Sequence, residues 1–150
     1  MKDYFQYVVF KDEFLVEIPL EMNSIPGLCI VNKSLCNFDY KKIFPWNLTL
    51  RLKYEDKDDD LRPTRRELSL INKFRLRLEN EFNLNEKPSA LFIVNICYSG
   101  EADLVWMLHD ADITNTILKK IIENKEYQYD FGYNITYDVE WEEVSDYLDI

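Results

Sequence analysis

Four carboxylates stand at a spacing that can bind a hard cation. Asp56, Asp58 and Asp60 alternate along the chain, and Glu67 follows eleven residues after the first of them. In a calcium loop such side chains encircle the ion and the glutamate closes its shell. Leu61, however, occupies the place where that loop needs a glycine with positive φ, and the residues before it read as a strand rather than a helix. Glu67 also has a second role as the end of Thr64-Arg65-Arg66-Glu67, a helix-start pattern. There the threonine hydroxyl accepts from the Glu67 N–H while the glutamate reaches back. A solvated acidic loop is the expectation, and calcium binding by Asp56, Asp58, Asp60 and Glu67 is the rival.

The second chemical pair is Cys97 with His109. His109 is the only histidine, which excludes any set built on two imidazoles. A thiol and an imidazole on neighbouring strands could make a small nucleophilic enzyme, although nothing in the sequence lowers the thiol pKa. Cys29, Cys36 and Cys97 are odd in number and lack a C-x-x-C spacing, so neither a disulfide framework nor a zinc site is expected. Gly27, Gly100 and Gly132 are the only glycines and form no phosphate-cradling loop. No cofactor is expected, and a non-enzymatic protein is the first reading.

The third constellation is Tyr137-Asp138-Val139-Glu140-Trp141-Glu142-Glu143-Val144, with Asp146 just beyond. An aromatic anchor among carboxylates is what a surface that captures a basic protein offers. The plainer reading is a terminal helix that docks Trp141 in the core and leaves its acids in water. For Trp141 the core reading comes first. For Asp138, Glu140, Glu142, Glu143 and Asp146 the two readings stand level.

Net charge by itself fits solubility alone, and it is its uneven spread that keeps the capture reading level with it. Eighteen basic against twenty-eight acidic residues give a net charge of −10. No Lys or Arg follows Lys125, so the last twenty-five residues hold eight of those ten charges. Such a field repels phosphate backbones and attracts basic proteins, which argues against a nucleic-acid ligand. There is no apolar run of the roughly 18–20 residues that spans a bilayer, and no signal-peptide pattern at the start, so a cytoplasmic protein is expected.

The elements that must position these residues follow from periodicity. The run 90–108, ALFIVNICYSGEADLVWML, is a hairpin: two apolar arms around Ser99-Gly100. Neither arm alternates cleanly, so the hairpin belongs inside a sheet at least partly covered on both faces. Trp46, Leu48, Leu50, Leu52 and Tyr54 alternate with polar residues as a strand. Leu68, Ile71, Phe74, Leu78 and Phe82 mark one side of a helix. A second helix carries Ile113, Ile117 and Ile121 and is capped by Asp110 or Asp112. A strand follows at 131–137, and a short helix at about 140–148 spaces Trp141, Val144 and Leu148. Upstream, 4–10 and 14–18 read as a hairpin around Lys11-Asp12-Glu13, ended by Pro19, and Ile25-Pro26-Gly27 reads as a turn. The expected fold is α+β: a ferredoxin-like βαββαβ sandwich over about 46–138. An N-terminal β-rich layer at 1–44 would pack on a 46–148 core, making one domain of 1–150. The third strand lacks the Gly-aromatic pattern that RNA-recognition modules of this order place there.

The acidic loop before LRPTRREL, the hairpin, LVWMLHDAD and the ending YDVEWEEVSDYL together resemble a bacterial family known as domain of unknown function 695. The likeness spans about residues 44–148. Arg62 intervenes between Leu61 and Pro63, Val139 stands where the family has proline, and Tyr147 falls later than the family's aromatic. The resemblance implies a ferredoxin-like core related to the ribonuclease E regulator RraB, a protein inhibitor. It brings no catalytic residues. The expected function is therefore an acidic inhibitor or immunity-type protein that masks a basic partner such as a nuclease toxin or ribonuclease.

Overall fold

Ser99 and Gly100 turn the central hairpin with φ of 53° and 86°, the left-handed pair that matches the twist of two antiparallel strands. The computed structural model describes residues 8–83, 88–125 and 127–149. It is an α+β fold of one six-stranded antiparallel sheet and three α-helices. In chain order the strands are β1 (Leu15–Met22), β2 (Ile25–Asn32), β3 (Trp46–Lys53), β4 (Ala90–Tyr98), β5 (Glu101–Leu108) and β6 (Phe131–Tyr137). The helices are α1 (Arg65–Phe82), α2 (Ala111–Asn124) and α3 (Glu142–Leu148). Across the sheet the strands run β1-β2-β4-β5-β3-β6.

Each face carries a buried apolar cluster over the central hairpin, while Arg51, Lys53 and Asn134 leave the β3–β6 end of the α3 face in solvent. On one, Leu48, Leu50, Leu52, Leu104, Trp106 and Leu108 meet the Leu68, Ile71, Phe74 and Leu78 stripe of α1 and Leu118 of α2. On the other, Leu91, Ile93, Val94, Val105 and Met107 lie under Val8, Leu35, Phe44 and the Trp141, Val144 and Leu148 row of α3. A bulge explains why Phe92, Ile93 and Val94 can all be buried. Phe92 pairs with Trp106 and Val94 with Val105, so Ile93 is the extra residue and two consecutive side chains turn to the α3 face.

The N-terminal expectations need correction. Residues 4–7 of the first predicted strand lie outside the described residues, and 8–14 form no strand. β1 pairs with β2 instead, around Asn23 and Ser24, whose φ values of 52° and 65° make the turn. Pro19 does not end β1 but sits inside it, which an outermost strand tolerates because the missing N–H would face water. Nor is Ile25-Pro26-Gly27 a turn: it opens β2, with Pro26 one residue outside the ladder to β4. Gly27 is required there, because a Cβ would stand 2.8 Å from the Cys97 carbonyl oxygen. β1 and β2 thus lengthen the sheet, while 3₁₀ turns at Lys33–Leu35 and Lys41–Ile43 belong to the segment that covers its face.

Candidate functional site

The four spaced carboxylates do not converge. Asp58 folds its own loop, accepting from the Asp60 N–H at 2.9 Å, the Arg62 N–H at 3.0 Å and the Arg62 guanidinium at 3.1 Å. Asp56 takes the Thr64 hydroxyl at 2.8 Å, and Asp60 pairs with Arg62 at 3.3 Å. Glu67 points the other way. Its backbone N–H donates to the Thr64 hydroxyl as expected, but its carboxylate does not return to the Thr64 N–H, which donates to the Asp56 carbonyl. Buried at 5% exposure, it accepts from the Tyr129 hydroxyl at 3.1 Å and the Glu55 N–H at 3.3 Å. Burial, and then the Glu67 charge, hold the Tyr129 phenol above its ordinary range. Among the described residues no three acidic, histidine or cysteine side chains gather as a cation site.

Cys97 and His109 are likewise kept apart. Cys97 faces Ala102 beside the hairpin turn, whereas His109 follows Leu108 at the opposite end of β5. At about 3.4 Å per residue the intervening strand separates them by roughly 20 Å or more. The Cys97 thiol is fully buried, its Sγ 3.3 Å from Asn95 Oδ1, and burial pushes its pKa up to about 12. The His109 ring sits with Nδ1 2.7 Å from the Ile43 carbonyl oxygen and packs against Phe44. The thiolate needed for nucleophilic attack is therefore suppressed. In a native labelling pulse at neutral pH, Cys97 and the buried Cys29 stay unmodified until the protein unfolds. Peptide mass analysis reads this out, and rapid native labelling of Cys97 would contradict it.

At the carboxyl end the sheet and α3 divide the constellation in two. Trp141 is not a surface anchor. Fully buried, it donates its indole N–H to the Phe44 carbonyl at 2.9 Å and stacks on Phe38 with ring centroids 5.5 Å apart. Asp138 is committed too, its two oxygens accepting from the Glu142 and Glu143 N–H groups at 2.9 and 3.0 Å. That caps the first turn of α3, where Trp141 itself has φ of 58° and no capping side chain. Glu140, Glu142, Glu143 and Asp146 remain, all exposed. The rigid indole thus fixes a short helix whose outer side is acidic.

Two open grooves escape the sequence reading. One, of about 1030 Å³, is lined by Arg51, Lys53, Arg66, Glu67 and Tyr129. The other, of about 750 Å³, lies against β6 and is lined by Trp46, His109, Asp110, Asp112, Tyr133 and Ile135. A signal for the first did exist. Glu67 stands one helical turn before Ile71 and two before Phe74, on the apolar stripe, where a carboxylate must find partners.

A six-stranded antiparallel sheet with an apolar cluster on each face and an acidic terminal helix defines a class of small α+β protein. The chain matches the family of unknown function DUF695 over residues 20–149 and belongs to that family. No curated protein and no solved structure matches it. No helix among the described residues is long and apolar enough to cross a membrane.

Proposed function

We propose that this protein is a non-enzymatic, acidic protein-binding module. In its most concrete form it is an inhibitor or immunity-type protein that masks a basic partner such as a nuclease toxin or ribonuclease. One observation carries the reading: Glu142, Glu143 and Asp146 on α3 and Glu140 just before it stand in solvent around a helix immobilised by Trp141, in a stretch with no basic residue after Lys125. Fixed carboxylates of one sign steer an oppositely charged partner and can occupy a site shaped for phosphates. We also read β3-α1-β4-β5-α2-β6 as a ferredoxin-like unit enlarged by β1 and β2, a reading supported by the strand order β4-β5-β3-β6.

Reversing Glu140, Glu142 and Glu143 together to lysine tests the reading. The three are exposed, so the melting midpoint stays within a few degrees of wild type. Capture of basic proteins from the source cell at low salt falls about tenfold or more. Unchanged capture by a folded variant would refute docking through α3.

A further inference from the structure

The outer edge of β6 is built as though another strand belonged there. β6 is the last strand of the sheet and pairs only with β3. Among the described residues no other hydrogen bond reaches its main chain. Every second residue therefore presents its N–H and C=O outward. Proteins usually blunt such an edge with proline, charge or a bulge. The opposite edge is blunted in this way, since β1 carries Glu17, Pro19 and Glu21. β6 reads FGYNITY, with no proline, no charge and an unbroken register to β3.

Beside that edge lies the groove of about 750 Å³, with no Lys or Arg in its lining. Trp46 and Tyr133 give it an aromatic lining, and beyond it Tyr137, 63% exposed, meets Trp46 edge-on at 5.0 Å. Asp110 and Asp112 form its acidic wall, Asp110 using one oxygen to accept from the Ile113 N–H. The amino end of α2 opposes a cation with about half a unit charge, which two carboxylates outweigh. Aromatic faces beside carboxylates suit a guanidinium or an ammonium group. A second copy of the chain fits the edge less well. Antiparallel pairing centred on Asn134 would set Asp130 of each copy against Asp138 of the other, and opposed like charges repel.

We propose that the β6 edge takes an extended basic segment of a partner protein as a seventh strand, seating an arginine or lysine in the groove formed by Trp46, Asp110 and Asp112. The main chain supplies the pairing and the groove supplies the selectivity. The proposal rests on the reading of this protein as a binder of basic proteins and names where a strand of the partner docks.

The test titrates the full chain with a pool of end-capped peptides of roughly eight to ten residues, alternating Arg or Lys with Val or Thr. Affinity and residue-resolved amide exchange are followed together. Alternate β6 amides are expected to gain protection. Methylating alternate peptide nitrogens, which keeps the charge but removes the donors, weakens binding about tenfold or more. The variant Asp110→Asn with Asp112→Asn weakens it severalfold without unfolding α2, because asparagine caps a helix as well as aspartate does. Binding that protects only α3, or that is indifferent to N-methylation, overturns the edge proposal and leaves the acidic-module reading intact. Failure of every basic peptide to bind overturns both. Protection of β6 that rises with protein concentration alone assigns the edge to a second copy and overturns the peptide occupant.

Discussion

Replacing Trp141 with alanine is expected to lower the unfolding free energy by about 3–5 kcal/mol. The side chain is wholly buried in the cluster of Phe44, Met107, Val144 and Leu148. Its N–H also donates to the Phe44 carbonyl, so truncation leaves a cavity and removes a buried hydrogen bond. A domain is stable by only about 5–15 kcal/mol, so the loss is a large fraction of the total. The denaturant midpoint should drop while the slope of the transition stays the same. Trp141→Phe, which keeps most of the volume, loses only about 1–3 kcal/mol through the missing hydrogen bond. If the alanine variant unfolds within about 1 kcal/mol of wild type, Trp141 does not hold α3 to the sheet.

Arg75→Ala is expected to cost about 3–5 kcal/mol at neutral pH. Arg75 is 2% exposed, an unusual place for a guanidinium, and every side of it is occupied. It pairs with Glu79 at 3.0 Å and Glu13 at 2.9 Å, donates to Asn72 at 2.9 Å and lies 4.1 Å from the centre of the Phe92 ring. Glu79 in turn accepts the Trp106 indole N–H at 3.0 Å. Burial raises the Glu79 carboxyl above its ordinary 4.5, while Arg75 pulls it down. A carboxyl raised in the folded state favours folding fully below pH 4.5 and loses that contribution as pH rises through its folded value. Removing Arg75 raises Glu79 further. The deficit of the variant is therefore smallest below pH 4.5 and grows toward neutrality, as denaturation at several pH values will show. Arg75→Met combined with Glu79→Gln recovers most of the loss, because no charge is then buried and the glutamine oxygen still accepts from Trp106. A deficit independent of pH would mean that the pair is not the cause.

Both residues show where the sequence is legible and where it is silent. β3 and α1 follow from period alone, since Leu48, Leu50 and Leu52 alternate and Leu68, Ile71, Phe74 and Leu78 keep helical spacing. The central hairpin follows from Ser99-Gly100 between apolar arms. Arg75 and Glu67 were hidden because charged residues default to solvent, although both fall on the buried stripe of α1. The proline rules misled at Pro19 and Pro26, for they forbid a central strand but permit an edge or the start of a ladder. The turn that joins β1 to β2 uses Asn23 and Ser24 rather than glycine, so its positive φ values carried only a weak signal. In the terminal segment, charge pattern located the exposed acids but could not separate Asp138 and Trp141 from them. That distinction is tertiary: it depends on Phe38 and Phe44, about a hundred positions earlier in the chain, arriving to receive the indole.

The proposed function requires the exposed carboxylates of α3, with Glu140 just before it, to meet a basic protein. The most direct measurement is the association rate with a captured basic partner as ionic strength is raised. A steep fall is predicted for the wild-type chain, and a much shallower one for the variant with Glu140, Glu142 and Glu143 reversed to lysine. A rate indifferent to salt, or the same slope in both proteins, would contradict it.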